Sequence, residues 1–337
     1  MQREYVGIDL HRRRSVIYRM DPAGNKLDCV RIDNEPARFV EEVSKAPPGS
    51  DVVVEATYGW YWAVDALQEL GYVVHLAHPR GNDWGKRRVK NDERDARDLA
   101  DLLRLGRLAE SWIAPPEGRE LRELVRFRAK LSNLRTGLKA QVHAVMAKNG
   151  VLPCRGDMWG IGGAGQFDAL CLPDAYEHRI EVLRDLVATY DREIASLDRK
   201  IHLRLRHHPG YNAVQAIYGV GRVFAAIFVA EIGDVTRFRS AEALCCWAGL
   251  TPVHHESDTK VTRGRITKQG SKLVRWAAIE AVARYHGGDA LKANFHQIAE
   301  RRGKKRAQVA IARKVLTLVY YGLRDGEIRC LRQRQAA

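Results

Sequence analysis

An acid stands inside the first apolar run of the chain, and that placement constrains the fold more than any other feature. Tyr5-Val6-Gly7-Ile8-Asp9-Leu10 reads as a short buried strand with Asp9 near its end. A second run, Asp51-Val52-Val53-Val54-Glu55, also ends in an acid. A carboxylate buried without a partner is strongly destabilising, so a sheet carrying two of them needs a compensating group. Asp92 and Asp95 follow, three apart on one face of a predicted helix. They stand at its start, where the helix dipole favours negative charge, and dipole complementarity with capping explains that pair on its own. The four together can converge on one point. Carboxylates without basic partners repel unless a cation joins them, and all-oxygen ligands suit Mg²⁺ or Mn²⁺. Two such ions about 3.5–4 Å apart stabilise both the attacking and the leaving oxygen in phosphoryl transfer.

Around these acids, residues 1–110 read as an α/β domain. Strands are predicted at Ser15–Met20 and Leu27–Ile32, flanking the turn Asp21-Pro22-Ala23-Gly24-Asn25. Helices are predicted at Pro36–Lys45, Trp60–Leu70 and Asn91–Leu105, and a further strand at Tyr72–Ala77. The order is three antiparallel strands, helix, strand, helix, strand, helix. Residues 111–208 form a helical connector. Leu124, Leu131, Leu138 and Val145 recur every seven residues, with Phe127, Leu134 and Val142 as companions. Ile180, Leu183, Val187, Tyr190, Ile194, Leu197 and Ile201 alternate steps of three and four, a coiled-coil seam. The Gly- and Pro-rich Val151–Pro173 joins the two helices, as an antiparallel hairpin or a coiled coil made with another subunit. Residues 209–330 are mainly α, with helices at Arg222–Ile232, Ser240–Gly249, Ser271–Tyr285 and Arg301–Tyr321 and a polar loop at Thr251–Gly270.

The formal net charge of +15 over 337 residues favours a polyanionic partner, most commonly nucleic acid. An anionic membrane surface would require an apolar face or lipid anchor, and neither stands in the sequence. Without a signal peptide or a bilayer-spanning run, and with six scattered cysteines, a soluble cytoplasmic protein is expected. The adjacent Cys245 and Cys246 read as buried thiols. Basic strips lie where a phosphate backbone would approach the acids: Arg12-Arg13-Arg14 after Asp9, and Lys86, Arg87, Arg88 and Lys90 before Asp92. A third strip, Lys260, Arg263, Arg265, Lys268, Lys272 and Arg275, follows Ser257. Cations there would stabilise a serine alkoxide attacking a phosphodiester, although an isolated serine in a loop is ordinarily only a loop residue. His254 and His255 lack a matching metal-ligand set.

Three stretches of the first domain resemble the RuvC-like (RNase H-like) domain of the DEDD insertion-sequence transposases, understood as bridge-RNA-guided serine recombinases. They are Val6–His11, Val52–Gly59 and Lys90–Ala100. The C-terminal residues are similar to that family's transposase domain at Gly219-Val220-Gly221, Glu231-Ile232-Gly233-Asp234-Val235, Phe238, Ser240, Ala248–Pro252, Ser257 and Gly264–Gly270. The resemblance implies that Asp9, Glu55, Asp92 and Asp95 are the metal-binding tetrad and that Ser257 is a nucleophile joined transiently to DNA. It further implies double-stranded donor and target DNA, a structured guide RNA, a homodimer or tetramer, and Gly219 and Gly221 among the nucleic-acid contacts. One departure is local: many members place a small residue and glycine beside the serine, whereas this chain has Glu256-Ser257-Asp258-Thr259.

The competing readings are distinct. A junction-resolvase-like nuclease would need the tetrad but not Ser257. An actin-like ATPase would need a glycine-rich phosphate hairpin after Asp9, where His11-Arg12-Arg13-Arg14 stands instead. A non-catalytic nucleic-acid-binding protein would keep the basic surfaces and be indifferent to metal.

Overall fold

The computed structural model describes residues 3–79, 81–82, 91–152, 157–160, 163–258, 260–285 and 290–332. The chain divides into two compact units, one up to Ala114 and one from Pro115 onward.

The first unit is built on a five-stranded sheet: β1 (Tyr5–Leu10), β2 (Arg14–Met20), β3 (Lys26–Asp33), β4 (Asp51–Glu55) and β5 (Val73–Ala77). Their order is β3-β2-β1-β4-β5. The first three form an antiparallel meander, and β4 and β5 run parallel to β1. Parallel central strands buried on both faces read as continuous apolar runs, which accounts for Val52-Val53-Val54. Helices α1 (Pro36–Val43) and α2 (Trp60–Glu69) cover one face, where Val6, Ile8, Val52 and Val54 pack with Phe39, Val64 and Leu67. Helix α3 (Asp92–Arg104) covers the other, over Val16, Tyr18, Val53 and Ala77. Its approach depends on Gly7: a Cβ there would collide with the Ala96 carbonyl. The small residues Ala96 and Ala100 complete a close helix–strand contact that sets the N-terminus of α3 over the end of β1.

The second unit opens with two long helices, α4 (Pro116–Lys148) and α6 (Asp174–Leu205), with the short α5 (Ala164–Asp168) between them. Ion pairs Arg204–Glu120, Arg128–Asp198 and Arg135–Asp191 run in opposite senses along the two helices, so they form an antiparallel hairpin. Such partly exposed pairs add little energy. The buried stripe of Ile180, Leu183, Val187, Ile194 and Ile201 supplies the adhesion on α6. On α4 the buried apolar set is Leu121, Val125, Leu131, Val142, Val145 and Met146. Phe127 and Leu134, expected beside that seam, are exposed instead, because the helix turns them to the outer face. Residues 111–208, expected as a separate connector, share packing with the C-terminal helices: Leu121, Val125, Ile201 and Leu205 belong to the same core as α8.

That core gathers α7 (Pro209–Val214), α8 (Arg222–Ile232), α9 (Ala241–Trp247), α10 (Lys272–Ala283) and α12 (Lys304–Asp325). Helix α8 is buried from Phe224 to Ile232, and its apolar residues form the centre of that core. Helix α11 (Ala290–Arg302) is separated from α12 by Gly303 at φ +85°, so the basic run Arg301–Arg306 spans a helix junction rather than opening a single helix. Residues Arg329–Arg332 add a last turn, α13. Adjacent residues on a helix point about 100° apart, so Cys245 is buried while Cys246 is exposed, contrary to the expectation that both are buried. No described helix is long and apolar enough to cross a membrane.

Candidate functional site

The four acids of the first unit come from three elements. Register pairs Ile8 with Val54 across the parallel strands, which brings Asp9 level with Glu55 at the carboxyl ends of β1 and β4. Alternation along the strands sends Gly7 and Asp9 to the α3 face. There the close packing at Gly7 delivers Asp92 and Asp95, in the first turn of α3. Helix capping does not require either residue. Asn91 is the N-cap, and its side chain accepts from the Glu93 N–H.

Asp9 is buried, and one of its carboxylate oxygens, Oδ2, takes no hydrogen bond. His11 Nε2 lies 3.1 Å from that oxygen and 3.6 Å from Asp92 Oδ1. The contact with Asp9 is therefore an ion-pair distance without hydrogen-bond alignment. Burial pushes the Asp9 carboxyl above the usual carboxylate range; His11 opposes the shift, and Asp92, Asp95 and Glu55 add to it. Arg31 Nη2 stands 3.6 Å from the other Asp92 oxygen. Asp9, His11 and Asp92 present ligand atoms within 4.8 Å of one another, close enough to share a metal ion. The donor set fits a divalent cation: the carboxylate of Asp92 and the imidazole of His11 adjoin a buried carboxylate that has an unsatisfied oxygen, and a cation would offset both the repulsion and the orphaned atom. His11 was absent from the sequence-derived site. Its signal was its position two residues after Asp9 at the end of a strand, where side chains share a face.

The basic candidates divide by position. Arg12 and Arg13 are exposed in the turn after β1, and Arg14, exposed at the start of β2, pairs with Asp33 at 3.2 Å. Lys86, Arg87, Arg88 and Lys90 lie outside the described residues.

In the second unit the segment Thr251–Gly270, expected as a loop, contains an antiparallel hairpin of β6 (Pro252–Ser257) and β7 (Lys260–Ile266). β-Branched Val253, Val261, Thr262 and Ile266 favour strands, and the polar residues between them disguised the pattern. Ser257 is exposed and ends β6, paired in register with Lys260 across the turn. Asp258 begins that turn at φ +52°, a conformation Asp tolerates better than most residues. Arg263 lies in β7 opposite His254. Arg265, Lys268 and Lys272 are exposed. Arg275 instead holds the fold locally, donating from Nη1 to the Ala248 and Gln269 carbonyls at 2.8 Å each. Gly219 has φ +82° and faces the Ala281 carbonyl, which excludes any side chain, while Gly221 is the N-cap of α8 with open space beside it. Glu231, buried in α8, accepts from Arg126 at 2.6 and 3.0 Å and from Ser271 Oγ at 2.9 Å, tying α4, α8 and the start of α10 together.

Comparison with known proteins places these residues in two matched regions. A family model for the DEDD transposases of IS110 matches residues 6–149, which include all four acids. A model described as the transposase IS116/IS110/IS902 family matches residues 211–297, which include Ser257. A probable family 20 transposase of Pseudomonas aeruginosa is 27% identical over 75% of this chain and 78% of its own. The transposase for insertion sequence element IS1111A of Coxiella burnetii is 24% identical over 96% of this chain and 91% of its own. A pilin gene-inverting protein of Moraxella bovis is 30% identical over 42% of this chain and 46% of its own.

Proposed function

The chain belongs to the DEDD insertion-sequence transposases of the IS110 type, enzymes of DNA cleavage and strand transfer, and from that premise we propose how its residues divide the reaction. The first unit is an RNase H-like, RuvC-like domain, a reading supported by the β3-β2-β1-β4-β5 order with an antiparallel meander joined to two parallel strands. Asp9, Glu55, Asp92 and Asp95 hold Mg²⁺ or Mn²⁺, and His11 adjoins them. When bound, the cation neutralises charge that builds on phosphate oxygens during displacement. The residues' own task is to keep a buried carboxylate fixed while Arg12 and Arg13 hold the DNA backbone next to it. The observation that carries this reading is the meeting of Asp9, His11 and Asp92 within 4.8 Å of one another, with Glu55 level with Asp9 across the sheet and Asp9 Oδ2 without a hydrogen-bond partner.

Ser257 is the nucleophile in this proposal. Its Oγ forms a bond to phosphorus, the sugar oxygen of the cut strand leaves with a proton, and a hydroxyl of another strand later reverses the step and frees the serine. Its place at an exposed hairpin tip supports access to duplex DNA. A gene-inverting relative supports recombination as the outcome. A structured guide RNA chooses the sites, the enzyme acts as a homodimer or tetramer, and its compartment is the cytoplasm. Gly219, Gly221, Lys260, Arg263, Arg265, Lys268 and Lys272 contribute to the nucleic-acid surface.

A covalent-trapping assay tests this. Protein, guide RNA and labelled DNA are mixed with Mg²⁺ or Mn²⁺ and resolved on a denaturing gel. The expected result is a protein–DNA adduct that disappears in Ser257→Ala and in Asp9→Ala. Cleavage without adduct, indifferent to Ser257, would leave a metal-dependent endonuclease as the better account.

A further inference from the structure

Helices α4, α6, α8 and α10 of the second unit enclose a groove of about 830 Å³. Six cations line it, Arg128, Arg135, Arg199, Arg222, Lys272 and Arg284, against the single carboxylate of Asp198. Two of the six are already committed, Arg128 to Asp198 at 2.9 Å and Arg135 to Asp191. Arg199, Arg222 and Lys272 are exposed, and among the described residues no carboxylate lies within ion-pair distance of them. Arg284 sits 5.2 Å from the centre of the Phe224 ring.

Solvated cations on a surface are ordinary, but this set surrounds an aromatic wall. Trp276, at the groove, is 43% exposed, while Val274, Ala277 and Ala278 of the same helix are buried. Its T-shaped contact with buried Phe224, 5.3 Å between ring centres and 87° between planes, holds the indole in place without stacking over it. A fixed, open aromatic among unpaired cations is how single strands are gripped: bases stack on the ring and phosphates meet the charges. The volume of the groove lies in the range of small-molecule sites, the scale of one or two nucleotides rather than of a duplex.

We propose that this groove binds a single-stranded polynucleotide segment, with one unpaired base against Trp276 and its flanking phosphates on Arg199, Arg222 and Lys272. The inference deepens the transposase reading and rests on it, since a strand with unpaired bases occurs in a structured RNA and in DNA opened during exchange. Those two sources share the chemistry and differ in the 2′-hydroxyl, which binding can discriminate.

The test is fluorescence anisotropy on the full chain with labelled single-stranded RNA and single-stranded DNA of about ten nucleotides, within the usual span of such sites. A blunt DNA duplex is the comparison. Trp276→Leu is expected to weaken single-strand binding by about five- to a hundredfold, the range of one lost base stack. Trp276→Phe should restore most of it, and duplex binding should change less. Arg199→Gln combined with Arg222→Gln provides an independent arm if Trp276→Leu does not fold, and should also weaken the single strand more than the duplex. The tighter of the RNA and DNA strands identifies the source. Single-strand affinity unchanged in the folded Trp276→Leu or in the arginine pair overturns the proposal, as does an equal loss for single strand and duplex. If the wild type binds duplex but not single strands, the groove proposal falls and the transposase reading stands; if it binds neither, both fall.

Discussion

At the scale of the residue, the carboxylate site carries a buried charge that His11 offsets only in part and that a bound cation would relieve further. Asp9 is buried with an unsatisfied oxygen and with three other acids acting on it. Asp9→Asn removes that burden while keeping shape, so it should melt no lower than wild type in chelator and should abolish metal-dependent cleavage. Adding Mn²⁺ should raise the melting temperature of wild type, because a ligand that binds only the folded state stabilises it, and leave Asp9→Asn unmoved. Parallel thermal scans with and without metal check both; an equal metal-induced shift in the variant would remove Asp9 from the ligand set. His11 refines the choice of ion. An imidazole beside carboxylates suits Mn²⁺ better than Mg²⁺, so His11→Ala should reduce Mn²⁺ affinity more than Mg²⁺ affinity in a calorimetric titration.

At the scale of the element, close approach and buried charge decide what is tolerated. Gly7→Val would drive a side chain into the Ala96 carbonyl and push α3 from the sheet, carrying Asp92 and Asp95 with it. It should therefore cost several kcal/mol, at the severe end for single substitutions, and lose metal binding even where the chain still folds. Arg126→Met would leave Glu231 buried with one oxygen unpaired, at a cost of about 2–3 kcal/mol by urea unfolding, below the usual range for a broken buried pair because Arg126 is itself half exposed. The sequence made the sheet legible and singled out Asp9 and Glu55 for a physical reason: an acid in an apolar strand violates the pattern around it and so advertises itself. The Ser257 hairpin was hidden because both faces of β6 are largely solvated, and a strand without a buried face has no alternation to read. Phe127 and Leu134 misled in the opposite way, since heptad spacing identifies a stripe but not which stripe faces the partner helix.

At the scale of the whole molecule, two properties follow from surface rather than site. With a net charge of +15, contacts to six or more phosphates should make duplex affinity fall by roughly 10³-fold or more between 50 and 200 mM salt. A flat response in a salt titration would refute a backbone-dominated interface. The second concerns assembly. Phe127 is 49% exposed and Leu134 42%, seven residues apart on the outer face of α4. That spacing is one heptad, so both side chains lie on one line along the helix, and an exposed apolar line on a long helix is what a second copy would cover. The intramolecular partner, α6, is already satisfied by other positions of α4, which leaves this line unused by the fold. Replacing both residues by serine should therefore leave the melting temperature of the isolated chain nearly unchanged while lowering the mass of the particle measured by light scattering. Because strand exchange between two DNA sites needs more than one active centre, the same double variant should also lose recombination while retaining nucleic-acid binding. A particle of unchanged mass would show that any assembly is held by another surface.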